Sequence, residues 1–239
     1  PGVESAERGH ASAACAAIHS PRHGASRRAE GSRRWRRSLR ASPQSAPDGI
    51  AGSGRSTIIR AMQTWAEACE HRIFRLSDWT EMAPPRFEDV AKYDVYFTYE
   101  PTRTWIGRAI RYELSRDDEP YGGEELAHAF ALDRQIMYRR LIIPALMAGK
   151  TIIQDRGVSS SLVYQPIMPK SVPLETVMNL PGNKLALTHA PHALVLTKLS
   201  AQVAMERIQR RDDDSKGVFG QLEFMKKVDK PWIAFKVLA

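Results

Sequence analysis

From residue 58 onward, apolar positions along the chain alternate between two spacings. Ile58, Ile59, Met62, Trp65, Ala66 and Cys69 recur at the three- and four-residue steps of a helix with one buried face. Asp94 to Thr98 (DVYFT) and Lys150 to Gln154 (KTIIQ) are short, nearly continuous apolar runs, the form taken by strands covered on both faces of a parallel sheet. Weaker runs at Arg72 to Leu76 and Leu194 to Leu199 predict two further strands. Helices are predicted over Gly107 to Leu114, over Glu124 to Leu146 with a kink at Pro144, and over Ala201 to Arg211. Pro166 to Pro191 reads as an irregular insertion, and Asp229 to Ala239 is poorly patterned. Strands alternating with helices predict an α/β fold, a three-layer parallel sheet with helices on both faces.

Residues 1 to 47 break the pattern. They are rich in Ala, Ser, Gly and Arg, include the cluster Arg33, Arg34, Trp35, Arg36, Arg37, and are expected to be disordered, leaving residues 48 to 239 as the folded domain. Arg40 to Pro47 (RASPQSAP) has two prolines and no apolar run, so the first strand is expected to be missing, and the C-terminal end incomplete. Charge separates the same two regions: the formal net charge is +8, but residues 1 to 47 hold nine Lys and Arg against three acids while the remainder holds 26 against 24. A nearly neutral folded part excludes the need for a long polyanionic partner, so nucleic acid is not expected to bind. For the basic segment three readings stay open: an organelle-targeting peptide, a basic tail, or an artefactual, mis-joined upstream stretch. No apolar run approaches membrane-spanning length, and the two cysteines and seven histidines show no metal-ligand spacing.

The stretch Gly49-Ile50-Ala51-Gly52-Ser53-Gly54-Arg55-Ser56-Thr57 leads into the first predicted helix. It fits a phosphate-binding loop except that Arg55 stands where the pattern asks for Lys. Backbone N–H groups of such a loop cradle a polyphosphate, the basic residue reaches its β- and γ-phosphates, and the hydroxyl, Ser56, holds Mg²⁺. The competing reading is a glycine-rich surface loop. Glu100 and the pair Asp155-Arg156 follow the two best strands, at the edge where open α/β sheets bind ligands. Phe130 and Arg134 lie four residues apart and share one helix face; Phe130 alone would read as core.

The motifs DGIAGSGRST, TYEPTRTWIGRAIR, HAFALDRQ and QDRGVSSSLVYQ, in this order and spacing, resemble the thymidylate kinases, P-loop nucleoside monophosphate kinases, and most closely their archaeal-like branch. The likeness covers roughly Asp48 to Phe224. It implies a P-loop NTPase-type sheet, ATP-dependent phosphorylation of dTMP to dTDP with Mg²⁺, a homodimer, and a cytoplasmic location, or an organellar one if the first segment is a transit peptide. It further implies that Gly49, Gly52, Ser53, Gly54, Arg55, Ser56 and Thr57 bind ATP, that Ser56 and Asp155 serve the metal, and that Arg156 bridges donor and acceptor phosphates. Arg111 would grip the dTMP phosphate, Phe130 stack on thymine and Arg134 hydrogen-bond it. Tyr164 and Gln165 would lie near sugar and base, Glu100 would be the acid of the Glu-Pro turn, and one of Arg207, Arg210 and Arg211 would close over ATP.

Several positions depart from the family pattern: Arg55 for Lys, Ala51 for an acid, Tyr99 for Arg, Gly157 for an aromatic or His, and Gly220 for Glu. Lys198 falls in a predicted strand where Asp is usual, which is costly if buried. Two alternatives therefore stand beside dTMP kinase. One is a kinase for another deoxynucleoside or nucleoside monophosphate; the other is a catalytically impaired nucleotide-binding homologue.

Overall fold

Side chains of the central strands point alternately to two helical layers, as the period-two geometry of a strand requires. Val95, Phe97 and Ile153 pack with Ala66 on one face, while Tyr96 and Ile152 pack with Leu141, Ile142 and Ala145 on the other. The computed structural model describes residues 43–116, 120–210 and 222–235. The expected disorder of residues 1 to 42, and the positions Arg211 and Gly220, lie outside the described residues.

Five strands, β1 (Gln44–Asp48), β2 (Ile73–Arg75), β3 (Val95–Tyr99), β4 (Thr151–Asp155) and β5 (Ala193–Leu196), form one sheet. Its order is β2-β3-β4-β1-β5, and every neighbouring pair is parallel. The helix α1 (Arg55–Ala68) follows β1. A short α2 (Phe87–Val90) precedes β3, and α3 (Trp105–Ala109), prolonged by a π-helical turn at Ile110–Leu114, follows it. Next comes α4 (Gly123–Met137), which runs through a π-helical turn at Tyr138–Ile142 into α5 (Ile143–Met147). Pro144 explains that turn, because its ring crowds the carbonyl four residues back and it has no N–H to give.

The missing first strand is corrected. Residues 44 to 48 form β1, in the middle of the sheet between β4 and β5, so the folded part begins before residue 48. Gln44 replaces an apolar side chain there, and is tolerated because its Nε2 donates to the Tyr138 hydroxyl at 3.2 Å and to Gln154 Oε1 at 3.1 Å. Pro47 deprives the ladder of one donor, yet its carbonyl still accepts the Arg156 N–H at 3.0 Å.

The insertion is also more regular than expected. After α6 (Val158–Tyr164) and a 3₁₀ turn at Gln165–Ile167, it forms α7 (Leu174–Asn179) and α8 (Pro181–Thr188). Gly182 sits against the Ala131 carbonyl with no room for a Cβ, so α8 lies directly on α4. Lys198 falls beyond the end of β5 and is exposed, which removes the expected burial cost. Toward the C-terminus α9 (Ala201–Gln209), capped by the Ser200 hydroxyl, is followed by α10 (Leu222–Phe235), where the sequence is poorly patterned from Asp229 on. Phe224, Met225 and Val228 of α10 pack with Ile50, Val163, Tyr164 and Ala204, a cluster that backs the loop between β1 and α1.

Candidate active site

The loop between β1 and α1 has the conformation that its glycines permit. Gly54, with φ 100, precedes α1 in the left-handed region that a Cβ disfavours, and its carbonyl accepts the N–H groups of Thr57 and Ile58. Gly52 backs onto the Ala204 carbonyl of α9 so closely that any side chain would collide. Ser53 shares a hydrogen bond with the Thr197 hydroxyl, tying the loop to the end of β5. Ser56 and Thr57 are exposed in the first turn of α1.

Arg55 turns back into the loop. Its Nη1 donates to the Gly49 carbonyl at 2.6 Å, and its Nε pairs with Asp155 Oδ1 at 3.0 Å. Burial lowers its pKa from the ordinary value, and the nearby Arg156 charge adds to this while Asp155 opposes it. Arg156 has φ 67, a left-handed conformation that costs a non-glycine residue about 1 kcal/mol. Its guanidinium donates to Ser160 Oγ at 3.1 Å and lies over the Tyr164 ring at 5.6 Å. Of the α9 arginines, Arg207 and Arg210 are both exposed; a Cβ at Gly54 would stand 3.9 Å from Arg207 Nη1.

Across the same sheet edge, Glu100 and Arg134 form a sealed ion pair. Arg134 is 1% exposed; its Nε and Nη2 donate to Glu100 Oε2 at 2.9 and 2.6 Å, and Nη2 also donates to Ser161 Oγ at 3.0 Å. Its Nη1 donates to Asn183 Oδ1. Burial raises the Glu100 pKa, with the Arg134 charge opposing. Gln154 Nε2 donates to the second Glu100 oxygen at 2.7 Å, so the carboxylate is satisfied on both sides. A guanidinium has five N–H donors, and one on Nη1 has no partner among the described residues.

Phe130, one turn before Arg134, is half-buried and joins none of the four apolar clusters among the described residues. Arg111 is exposed; its Nε donates to the carbonyls of Pro101 at 3.0 Å and Thr102 at 2.9 Å, and its guanidinium lies over the Tyr99 ring. Tyr164 is buried, with its hydroxyl 3.4 Å from the Gly49 carbonyl. Gln165 is buried as well, and its Oε1 has no hydrogen-bond partner among the described residues. Among the described residues no cluster of three or more His, Cys, Asp and Glu side chains could hold a metal, and no helix is long and apolar enough to cross a membrane.

The sequence model described as Thymidylate kinase matches residues 80–235. A probable thymidylate kinase of Methanosarcina acetivorans is 30% identical over 187 residues, covering 76% of this chain and 75% of that protein. The chain belongs to the thymidylate kinase family. A probable thymidylate kinase of Thermococcus onnurineus is likewise 30% identical, over 194 residues, covering 78% of this chain and 80% of its own. The crystal structure of thymidylate kinase from Ehrlichia chaffeensis matches with a TM-score of 0.56 at 19% identity, over 82% of this chain and 87% of that one, and so shares the fold. The loop between β1 and α1 lies before the residues that this family model matches.

Two polar residues of this thymidylate kinase family member escaped the sequence reading. Asp133 is 3% exposed and accepts the Thr102 N–H at 2.8 Å and its hydroxyl at 2.7 Å, which fastens the Glu-Pro-Thr turn to α4. Burial raises its pKa, opposed by those two donors. Asn183 is fully buried and grips Arg134 from α8. The signal available was weak: each is a single polar residue inside a helical segment, which ordinarily faces water.

Proposed function

We propose that the chain transfers the γ-phosphoryl group of ATP to dTMP, giving dTDP and ADP. The observation that carries this reading is a convergence at one sheet edge. The phosphate loop after β1, Asp155-Arg156 after β4 and the Glu100–Arg134 pair after β3 all lie at C-terminal strand ends, where parallel sheets bind ligands.

On the donor side, Gly49, Gly52, Ser53, Gly54, Ser56 and Thr57 would hold the ATP phosphates through the loop and the α1 N-terminus. The Ser56 hydroxyl and the Asp155 carboxylate are hard oxygen donors that suit Mg²⁺, which takes the rest of its shell from phosphate and water. When bound, it neutralises charge on the transferring phosphoryl group. Arg55 and Arg156 supply fixed positive charge around that group, and phosphoryl transfer depends mainly on such positioning. Arg207, whose guanidinium comes near Gly54, is the α9 arginine best placed to add to it, ahead of Arg210.

On the acceptor side, the unpartnered Nη1 hydrogen of Arg134 and the unpartnered Gln165 Oε1 offer a donor and an acceptor to a pyrimidine and its sugar. Phe130 supplies a ring free of the core, and Tyr164 borders the loop. Arg111 would exchange carbonyl oxygens for the dTMP phosphate, a stronger, charge-assisted acceptor. A homodimer is part of the proposal, to be tested by light scattering.

ADP release should be measured with ATP, Mg²⁺ and a panel of nucleoside monophosphates. The expected result is highest kcat/KM for dTMP; equal or higher values for another nucleotide would replace the acceptor. The Arg55–Asp155 pair favours a second reading, a nucleotide-binding homologue with slow transfer, because that contact takes up the metal-serving carboxylate. Melting-temperature increases with ATP and dTMP, without ADP formation, would establish it.

A further inference from the structure

The geometry points to Asp48 as the positioning residue that sets the Arg156 guanidinium between the two phosphate subsites; this rests on the kinase reading above. Asp48 ends β1, an interior strand between β4 and β5, and is 0% exposed. Its Oδ1 accepts from the Gly49 N–H at 2.8 Å and the Ser160 hydroxyl at 2.9 Å; its Oδ2 accepts from Ser159 at 2.6 Å and Ser160 at 3.0 Å. The first bond fixes the start of the phosphate loop. The others fix α6, which follows Arg156.

The relay has a defined direction. A guanidinium only donates, so when Arg156 Nη1 donates to Ser160 Oγ at 3.1 Å the Ser160 hydroxyl must pass its own proton toward an acceptor, and Asp48 is that acceptor. Arg156 Nη1 also lies 3.7 Å from Asp48 Oδ1, so a buried carboxylate faces the guanidinium both directly and through the serine. The left-handed backbone of Arg156 would relax if unsupported, and support comes from the Pro47 carbonyl, the residue before Asp48. One residue at the end of β1 thus places the loop and the arginine that works opposite it. An amide at position 48 keeps one acceptor oxygen but removes the negative charge that faces Arg156 and turns the atom toward Ser159 into a donor.

The test uses the full chain with Asp48→Asn, Ser160→Ala, Arg156→Ala and the double variant Asp48→Asn/Arg156→Ala. Asp48→Asn and Ser160→Ala are each expected to lower kcat about 100-fold, the scale of a lost electrostatic contact in a transition state, with KM for ATP little changed. The double variant is expected to be no slower than Arg156→Ala alone, since residues acting as a unit are not additive. Wild-type kcat in Ser160→Ala, or additive losses in the double variant, overturns the proposal. Should Asp48→Asn fail to fold, Ser160→Ala decides alone, because Ser159 and Gly49 still satisfy Asp48. A wild-type chain that phosphorylates no nucleoside monophosphate refutes the kinase reading only. The positioning claim is then read in the ligand-free protein from hydrogen exchange at the Arg156 side chain by nuclear magnetic resonance. Faster exchange in Ser160→Ala supports it, and unchanged exchange overturns it.

Discussion

Arg55, on the proposed donor side, and Arg134, on the proposed acceptor side, are the same residue type in opposite circumstances. The Arg55 side chain is 14% exposed and pairs with an Asp155 that is 28% exposed, whereas Arg134 at 1% faces a Glu100 at 5%. A charge pair close to water can exchange partners at little cost, and one sealed from water cannot, because separating it strands both charges. The proposed donor half is therefore built from contacts that ligands can replace. In the proposed acceptor half, recognition and core stability would share the same atoms.

The largest expected effect follows from that difference. Arg134→Ala should destabilise the fold by about 3 to 5 kcal/mol, the usual result of leaving one member of a buried pair uncompensated. Urea unfolding measures it, and the further change Glu100→Gln in the same chain should recover part of the loss. A loss close to that of a surface substitution would break the comparison. Phe130→Ala comes next: calorimetric titration should show dTMP binding weaker by about 1 to 3 kcal/mol with ATP binding nearly untouched. Equal losses for both nucleotides would make Phe130 a packing residue after all.

Arg55→Lys probes the replaceable half. A lysine is a compact point charge with less hold on Asp155, so kcat for dTMP phosphorylation should rise about tenfold, or roughly 1.4 kcal/mol of barrier. An unchanged or lower kcat would mean the loop has adapted to arginine. The smallest effect is alkaline. Burial pushes Tyr138, beside Gln44 under the acceptor half, and Tyr96 up to about 12. Above the ordinary value near 10 the unfolded chain releases the Tyr138 proton that the folded chain keeps, so stability should fall as pH rises, by about 1 kcal/mol between pH 10 and 11 from this tyrosine. Melting curves of Tyr138→Phe should show a shallower decline between pH 10 and 11.

Legibility of the fold in the sequence tracked how each element earns its burial. β3 and β4 are readable because strands covered on both faces carry the apolar runs YF and TII. β1 occupies the same kind of position with QSAPD, and its burial rests on partners far away in sequence, Tyr138 and Gln154, which no local window contains. α7 and α8 were hidden by Pro173 and Pro181, which in fact stand at helix starts, where proline is tolerated. The acceptor helix showed Phe130 and Arg134 through their spacing, but the carboxylate, amide and hydroxyl that fix Arg134 come from three other elements. The arginine at position 55 could be seen, while its contact with Asp155 could not.

The place of β1 in the sheet has a consequence for how the protein is made. Its ladder partners are residues 152–153 and 193–196, so a chain emerging from the ribosome carries β1 and its glycine loop through a long stretch of synthesis before either neighbour exists. An apolar, β-branched strand waiting that long would be an open template for pairing with other nascent chains. Gln, Ser, the preceding Pro43 and the internal Pro47 make a poor template, and Pro47 withholds a donor from any intruder as it does from β4. The composition that conceals the strand in the sequence is one that keeps it unattached until its own partners arrive.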